Sequence, residues 1–153
     1  MAVNPLEGFE EVDFIVLSED YSRFLIVPDG TTLKAKIVLR KIFLTVERTP
    51  EGYPVSAEVD AMNVISSMVP SSSRRQPSTE PWIPQHDKGE EMKFEEQDVK
   101  TQEYMTPNGF KLTVKPVLAK VFRYQKYNTY GEPIYTASLQ SIVNIDKIPS
   151  TST

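Results

Sequence analysis

The sequence predicts an all-β protein in which two tandem antiparallel meanders form one pseudo-two-fold-symmetric barrel or barrel-like sheet. Three observations predict this fold: a gapless internal repeat, matching turn signals in its two copies, and long segments in which apolar and polar residues alternate. Three arrangements fit these observations, because the meanders can share one sheet, pack face to face or swap strands.

The repeat joins residues 28–73 to residues 107–152 at an offset of 79. The copies share 14 identities in 46 positions, whereas average composition would give about three. A unit this short buries too little apolar surface to be stable alone. We therefore expect a single domain over residues 1–153, in which residues 74–106 supply a linker and a lead-in strand.

Each copy opens with a hairpin turn. The turns are Pro28-Asp29-Gly30 and Pro107-Asn108-Gly109, and Asp-Gly and Asn-Gly tolerate the positive φ that tight hairpins need. The residues before each turn, 23–27 and 99–106, are predicted to be strands. One further strand is predicted over residues 13–18.

A long strand with a β-bulge should follow each hairpin turn. Alternation that runs from Leu33 to Leu39 slips by one residue, so that Ile42 and Leu44 take the opposite parity. The same slip recurs in the second copy, and it places Lys41 and Lys120 at the bulge. A short helical turn over residues 38–43 is the alternative, but the β-branched and aromatic residues favour a strand.

A second pair of turns contains glycine and proline, at residues 49–54 and 128–133. They lead into predicted strands over residues 55–68 and 134–148, the last of which should end at Pro149. Each copy is thus predicted to be a meander of about three strands, and the whole chain to contain six or seven.

The segment between the copies has a different composition. Residues 71–81 are rich in serine, proline and arginine and are predicted to be a mobile linker. The acidic residues 87–98 are predicted either to form a short solvated helix or to be disordered.

The composition excludes several kinds of active site. Without cysteine there is no disulfide, thiolate nucleophile or cysteine-ligated metal. The single histidine, His86, lies in a proline-rich loop, and no phosphate-binding glycine motif occurs. We therefore expect a non-catalytic protein with no cofactor and no metal. The alternative is a metal-dependent enzyme built on Asp and Glu alone. With neither a signal peptide nor a membrane span in the sequence, a cytoplasmic location is expected.

The strongest chemical pattern lies in the second copy, which carries six basic residues against two acidic ones although the whole chain has a net charge of −4. Basic and aromatic residues interleave there, as in proteins that bind single-stranded DNA or RNA. The alternative is that they are ordinary residues of a β-sheet. The predicted nucleic-acid-binding residues are Lys115, Lys120, Phe122, Arg123, Tyr124, Lys126, Tyr127 and Tyr130.

A second functional hypothesis is a protein assembly or adaptor module with no nucleic-acid role. Trp82 and Ile83 lie between two prolines and are the candidate docking residues for a protein partner or a second copy. The favoured interpretation of Trp82 is that it packs back to close the barrel, because the only tryptophan of a small core is usually buried.

Overall fold

The computed structural model describes residues 7–147, and the regular elements in that range are strands, with one 3-10 turn at Ser71–Ser73. The all-β prediction is therefore confirmed. The predicted strand end at Pro149 lies outside the described residues. In chain order the strands are β1 Phe9–Val12, β2 Ile15–Ser18, β3 Ser22–Ile26, β4 Thr31–Thr45, β5 Ala57–Met68, β6 Glu90–Glu91, β7 Phe94–Asp98, β8 Gln102–Met105, β9 Phe110–Tyr127 and β10 Pro133–Lys147.

The strands form two five-stranded antiparallel sheets with the same arrangement. In the first sheet, β5 pairs along one edge of β4, while β3 and β1 pair with opposite ends of its other edge. In the second sheet, β10 pairs along one edge of β9, while β8 and β6 pair with opposite ends of the other. The six or seven predicted strands were too few, because β1, β6 and β7 are short and largely acidic.

Two strands are exchanged between the sheets. Strand β2 precedes β3 in the chain but pairs with β8 in the second sheet. Strand β7 precedes β8 but pairs with β3 in the first sheet. Each half of the chain thus completes the sheet of the other half, which three-stranded meanders do not predict.

The described residues form no closed barrel, which corrects the predicted barrel. The inner faces of β4 and β9 are apolar, and one core contains side chains of both sheets, including Leu33, Ile37, Leu112 and Val114. Strands β5 and β10 are not paired by a backbone ladder. The hydrogen bond between them runs from the side chain of Asn63, through Nδ2, to the carbonyl of Leu139. Two facing sheets therefore enclose the core.

The predicted bulges are confirmed. The β4–β5 register shifts between Leu39 and Lys41, and the β9–β10 register shifts between Leu118 and Lys120. Inward-facing residues change parity there, so Leu39 and Ile42 are both buried. The helical alternative for residues 38–43 is wrong.

The acidic segment is neither a helix nor disordered, so both predictions for residues 87–98 are wrong. Its residues form β6 and β7, while Met92 between them is buried. The ring of Phe94 lies edge-on to that of Phe24, 6.2 Å away. Glutamates on β7 stay exposed at the sheet edge, where their charge remains solvated. Residues 7–147 contain no helix long and apolar enough to cross a membrane.

Candidate functional site

The segment of residues 77–82 lies against the end of strand β9 and forms a groove with it. Ser78 fixes this segment, because its N–H donates to the carbonyl of Tyr127 at 3.0 Å and its hydroxyl accepts from the N–H of Tyr127 at 2.9 Å. The predicted linker is thus bonded to the second sheet at Ser78. The groove has a volume of about 380 Å³, and its walls include Pro77, Pro81 and Ile134.

The groove also carries aromatic rings and one cation. Trp82, Tyr127 and Lys126 line it. The ammonium of Lys126 lies 3.3 Å from a carboxylate oxygen of Glu80, which is itself largely exposed. A flat ring bound in this groove would meet the indole and the phenol, and an anionic group would compete with Glu80 for Lys126.

Trp82 packs back onto the second sheet. Its ring lies edge-on to that of Tyr124, with centroids 5.3 Å apart, and its Nε1 is buried with no acceptor among the described residues. Gly89 lies close to the ring of Tyr124 and to Cβ of Phe122, because a Cβ added at Gly89 would be 2.8 Å from the former and 3.0 Å from the latter. Trp82 and Gly89 pack against Tyr124, and neither Tyr124 nor Phe122 lines the groove, so neither is a free stacking platform. Ile83 next to Trp82 is exposed.

Arg123 points into the protein. Its Nη1 lies 3.1 Å from Oδ2 of Asp29, and its Nη2 lies 3.8 Å from Glu90. Asp29 also accepts hydrogen bonds from the Tyr135 hydroxyl and from the N–H of Thr31. The charge of Arg123 therefore joins the two sheets.

The Asp29 cluster shifts the pKa values of two of its members. Burial by itself would raise the pKa of Asp29, but hydrogen bonds from Tyr135, Thr31 and Arg123 outweigh burial, so the pKa is lowered. Burial and the hydrogen bond to Asp29 raise the pKa of Tyr135 to about 12. The cluster is thus arranged for an ionised aspartate and a neutral tyrosine.

Sequence reasoning missed Asp29 and Tyr135 as members of a charged cluster. The available signal was that the two copies differ in polarity at these positions. Asp29 aligns with Asn108, while Tyr135 and Arg123 align with a serine and a leucine of the first copy.

The remaining predicted residues lie outside the groove walls. Lys115 and Lys120 are exposed and form no salt bridge within residues 7–147. Tyr130, in the turn after β9, is 75% exposed. The structure therefore groups Trp82, Tyr124, Lys126 and Tyr127, turns Arg123 inward, and leaves the two lysines and Tyr130 at the surface.

The described part of the chain also contains no group of three or more histidine, aspartate and glutamate side chains placed to hold a metal ion. No protein-family model, curated protein sequence or solved structure matches this chain.

Proposed function

We propose that the protein is a non-catalytic binding protein and that its ligand is single-stranded nucleic acid. The observation that carries this proposal is the open groove in which Trp82, Tyr127 and Lys126 meet. Bases stack on aromatic rings whatever their sequence, and lysines neutralise the phosphates between them.

Three exposed residues extend the proposed binding surface. Lys115 and Lys120 lie on the same strand as the groove residues and are exposed. Tyr130 presents a ring to solvent beyond the groove. Arg123 and Tyr124, by contrast, are assigned structural roles, because Arg123 already pairs with Asp29 and Tyr124 already packs against Trp82.

The test measures binding of labelled oligothymidylate and oligouridylate by fluorescence anisotropy over a range of salt concentrations. The variant is Lys115→Gln/Lys120→Gln. Its matched control is Lys36→Gln/Lys41→Gln, which removes the same charge at the aligned positions of the other sheet. The first variant should weaken binding and reduce the salt slope by about 0.7 for each phosphate that a lysine no longer neutralises.

Two further variants test the groove. Tyr130→Ala removes an exposed ring and should cost about 1–3 kcal/mol of binding free energy if a base stacks there. Glu80→Gln frees Lys126 and should strengthen binding of an anionic ligand. The proposal fails if wild-type protein does not bind at low salt, or if both lysine double variants weaken binding equally.

Duplication of an ancestral unit is the finer proposal for the fold. One support is the 14 identities between the copies. Another is that β9 begins 79 residues after β4 begins, and β7 begins 79 residues after β2 begins. A pseudo-two-fold axis would relate the sheets, and the unit would include the short strands that precede each hairpin.

Protein binding is the second candidate function. The observation in its favour is an exposed apolar strand, β2, at the edge of the second sheet.

A further inference from the structure

Strand β2 leaves an apolar edge open on the second sheet. It pairs with β8, and no other strand within residues 7–147 pairs with it. Three consecutive side chains, Ile15, Val16 and Leu17, are 61%, 49% and 48% exposed. Ile15 and Val16 pair with consecutive residues of β8 and so point to opposite faces, which makes both faces of this edge apolar, while Leu17 lies at a register shift and has no partner on β8. Such an edge is a template for another strand.

The corresponding edge of the first sheet is protected. Strand β7 holds that position, and it carries the exposed acidic residues Glu95, Glu96 and Asp98. Charged side chains on an edge strand oppose pairing with another chain. The edge formed by β7 is therefore protected by charge, whereas β2 contains no charged residue.

The charge beside β2 is negative at one end. Asp13, which precedes the strand, and Glu10 are exposed and form no salt bridge in the described part of the chain. At the other end, Asp20 is 3.0 Å from Lys100, and Glu19 accepts a hydrogen bond from a buried tyrosine. Glu19 is half-buried and turned toward that tyrosine, so the exposed carboxylates beside β2 that have no cation among the described residues lie near Asp13.

A second copy of this chain is a poor occupant. Residues 13–20 contain three acidic residues and no lysine or arginine, so the β2 segment of a second copy offers no cation to Asp13. A strand of another protein with basic residues supplies that cation.

We propose that β2 binds an extended segment of another protein by antiparallel strand addition. The segment contains a short run of β-branched residues followed by lysine or arginine. Antiparallel pairing places the residues that follow this run beside Asp13, where their charge is complementary. Main-chain hydrogen bonds provide affinity, and the position of the basic residues provides direction. This proposal requires none of the groove residues, so it stands or falls separately from nucleic-acid binding.

The probes are three labelled synthetic peptides with the same Thr-Val-Ile-Val run. Two lysines follow the run in the first, two lysines precede it in the second, and two glutamates follow it in the third. Fluorescence anisotropy measures their affinity for the full chain. The first peptide should bind most tightly, and hydrogen exchange of the β2 amides should slow when it binds.

The test variant is Val16→Glu, and its matched control is Ile142→Glu on β10 of the same sheet, where the side chain is equally exposed. An added negative charge favours a lysine-rich peptide electrostatically, so a loss of binding reports the loss of the apolar edge. Val16→Glu should weaken the first peptide at least about tenfold, or about 1.4 kcal/mol. Ile142→Glu should not weaken it. Asp13→Asn should weaken binding of the first peptide and should not weaken binding of the peptide that carries glutamates.

Four results would overturn the proposal. One is that no peptide binds. Another is that Val16→Glu and Ile142→Glu lose affinity for the first peptide equally. A third is tighter binding of the peptide whose lysines precede the run, which would contradict the antiparallel direction. The fourth is a dimer in sedimentation analysis that Val16→Glu dissociates, because a second copy would then occupy the edge.

Discussion

The side-chain amide of Gln102 hydrogen-bonds to the backbone of Ile37 as a neighbouring strand would. Its Oε1 accepts from the Ile37 N–H at 2.9 Å, and its Nε2 donates to the Ile37 carbonyl. Strand β3 pairs with β4 only as far as Ala35, and β1 pairs only from Ile42 onward. Gln102 therefore fills part of a gap in the β4 ladder from the facing sheet.

Gln102→Leu should lower the free energy of unfolding by about 2 kcal/mol, because it leaves the buried N–H of Ile37 without a partner and its carbonyl with only the long 3.5 Å contact from the Tyr104 hydroxyl. Urea denaturation followed by circular dichroism measures the change. Gln140→Leu, at an exposed position of β10, is the control and should change stability little. Equal stability of wild type and Gln102→Leu would contradict the role of the amide.

Tyr135 should make the protein sensitive to alkali. Its pKa is raised to about 12 in the folded state, from 10.0, so the unfolded chain loses the phenolic proton first. The stabilisation from Tyr135 is thus complete below pH 10 and is lost as the pH rises toward 12. Urea denaturation at several pH values should show this loss for wild type.

Tyr135→Phe should show less of the alkaline loss, although it is less stable at neutral pH because it lacks the hydroxyl bonded to Asp29. Tyr130→Phe is the exposed control and should follow the wild-type curve. An unchanged alkaline loss in Tyr135→Phe would assign the effect to another group. Buried Tyr104, whose pKa is also raised, is the next candidate.

Gly131 holds the turn beside the groove close to the linker. Its φ is 76°, and a Cβ there would lie 2.4 Å from the carbonyl oxygen of Arg75. Gly109 has a φ of 86° but nothing within 4 Å of such a Cβ. Gly109→Ala should therefore cost only the backbone strain, about 1–2 kcal/mol, and Gly131→Ala should cost more.

Trp82 reports the local effect of these glycine variants, since it is the only tryptophan of the chain. Its fluorescence emission should shift in Gly131→Ala as the linker moves away from the turn, and stay unchanged in Gly109→Ala. Equal losses of stability with no change in emission would contradict the close contact.

Cleavage of the linker should leave the two halves associated. Arg74 and Arg75 are exposed in the segment between the sheets, so brief treatment with trypsin should cut there. Because β2 and β7 each pair with the other half, the fragments should elute together in size-exclusion chromatography and separate in urea. Fragments that separate without denaturant would contradict the strand exchange.

Local sequence patterns predicted the turns, the long strands and the bulges, because each depends on residues close together in the chain. Gly30 and Gly109 adopt the positive φ that their turn motifs require. The acidic β7 was mispredicted, because its pairing with β3 overrides its weak strand propensity. The exchange of strands and the bond between Asp29 and Arg123 join distant residues, so no local pattern reports them.

The candidate site was predicted in part for the same reason. The basic and aromatic composition singled out Lys126 and Tyr127, which line the groove, but it predicted no groove. It did not reveal that Arg123 turns toward Asp29, since the direction of a side chain after a bulge depends on the register of β9 and β10. Nor did it reveal that three consecutive apolar side chains of β2 are exposed, because the same residues are typical of a buried strand.

The exchange of β2 and β7 also affects how the chain folds during synthesis. The N-terminal half emerges from the ribosome first, yet its sheet lacks β7 until the linker and the start of the second half have been translated. Until then Phe24 and Leu33, which are buried in the finished protein, belong to an incomplete core. Productive folding must therefore wait for the later part of the chain, and during that delay the nascent half exposes apolar surface that chaperones recognise.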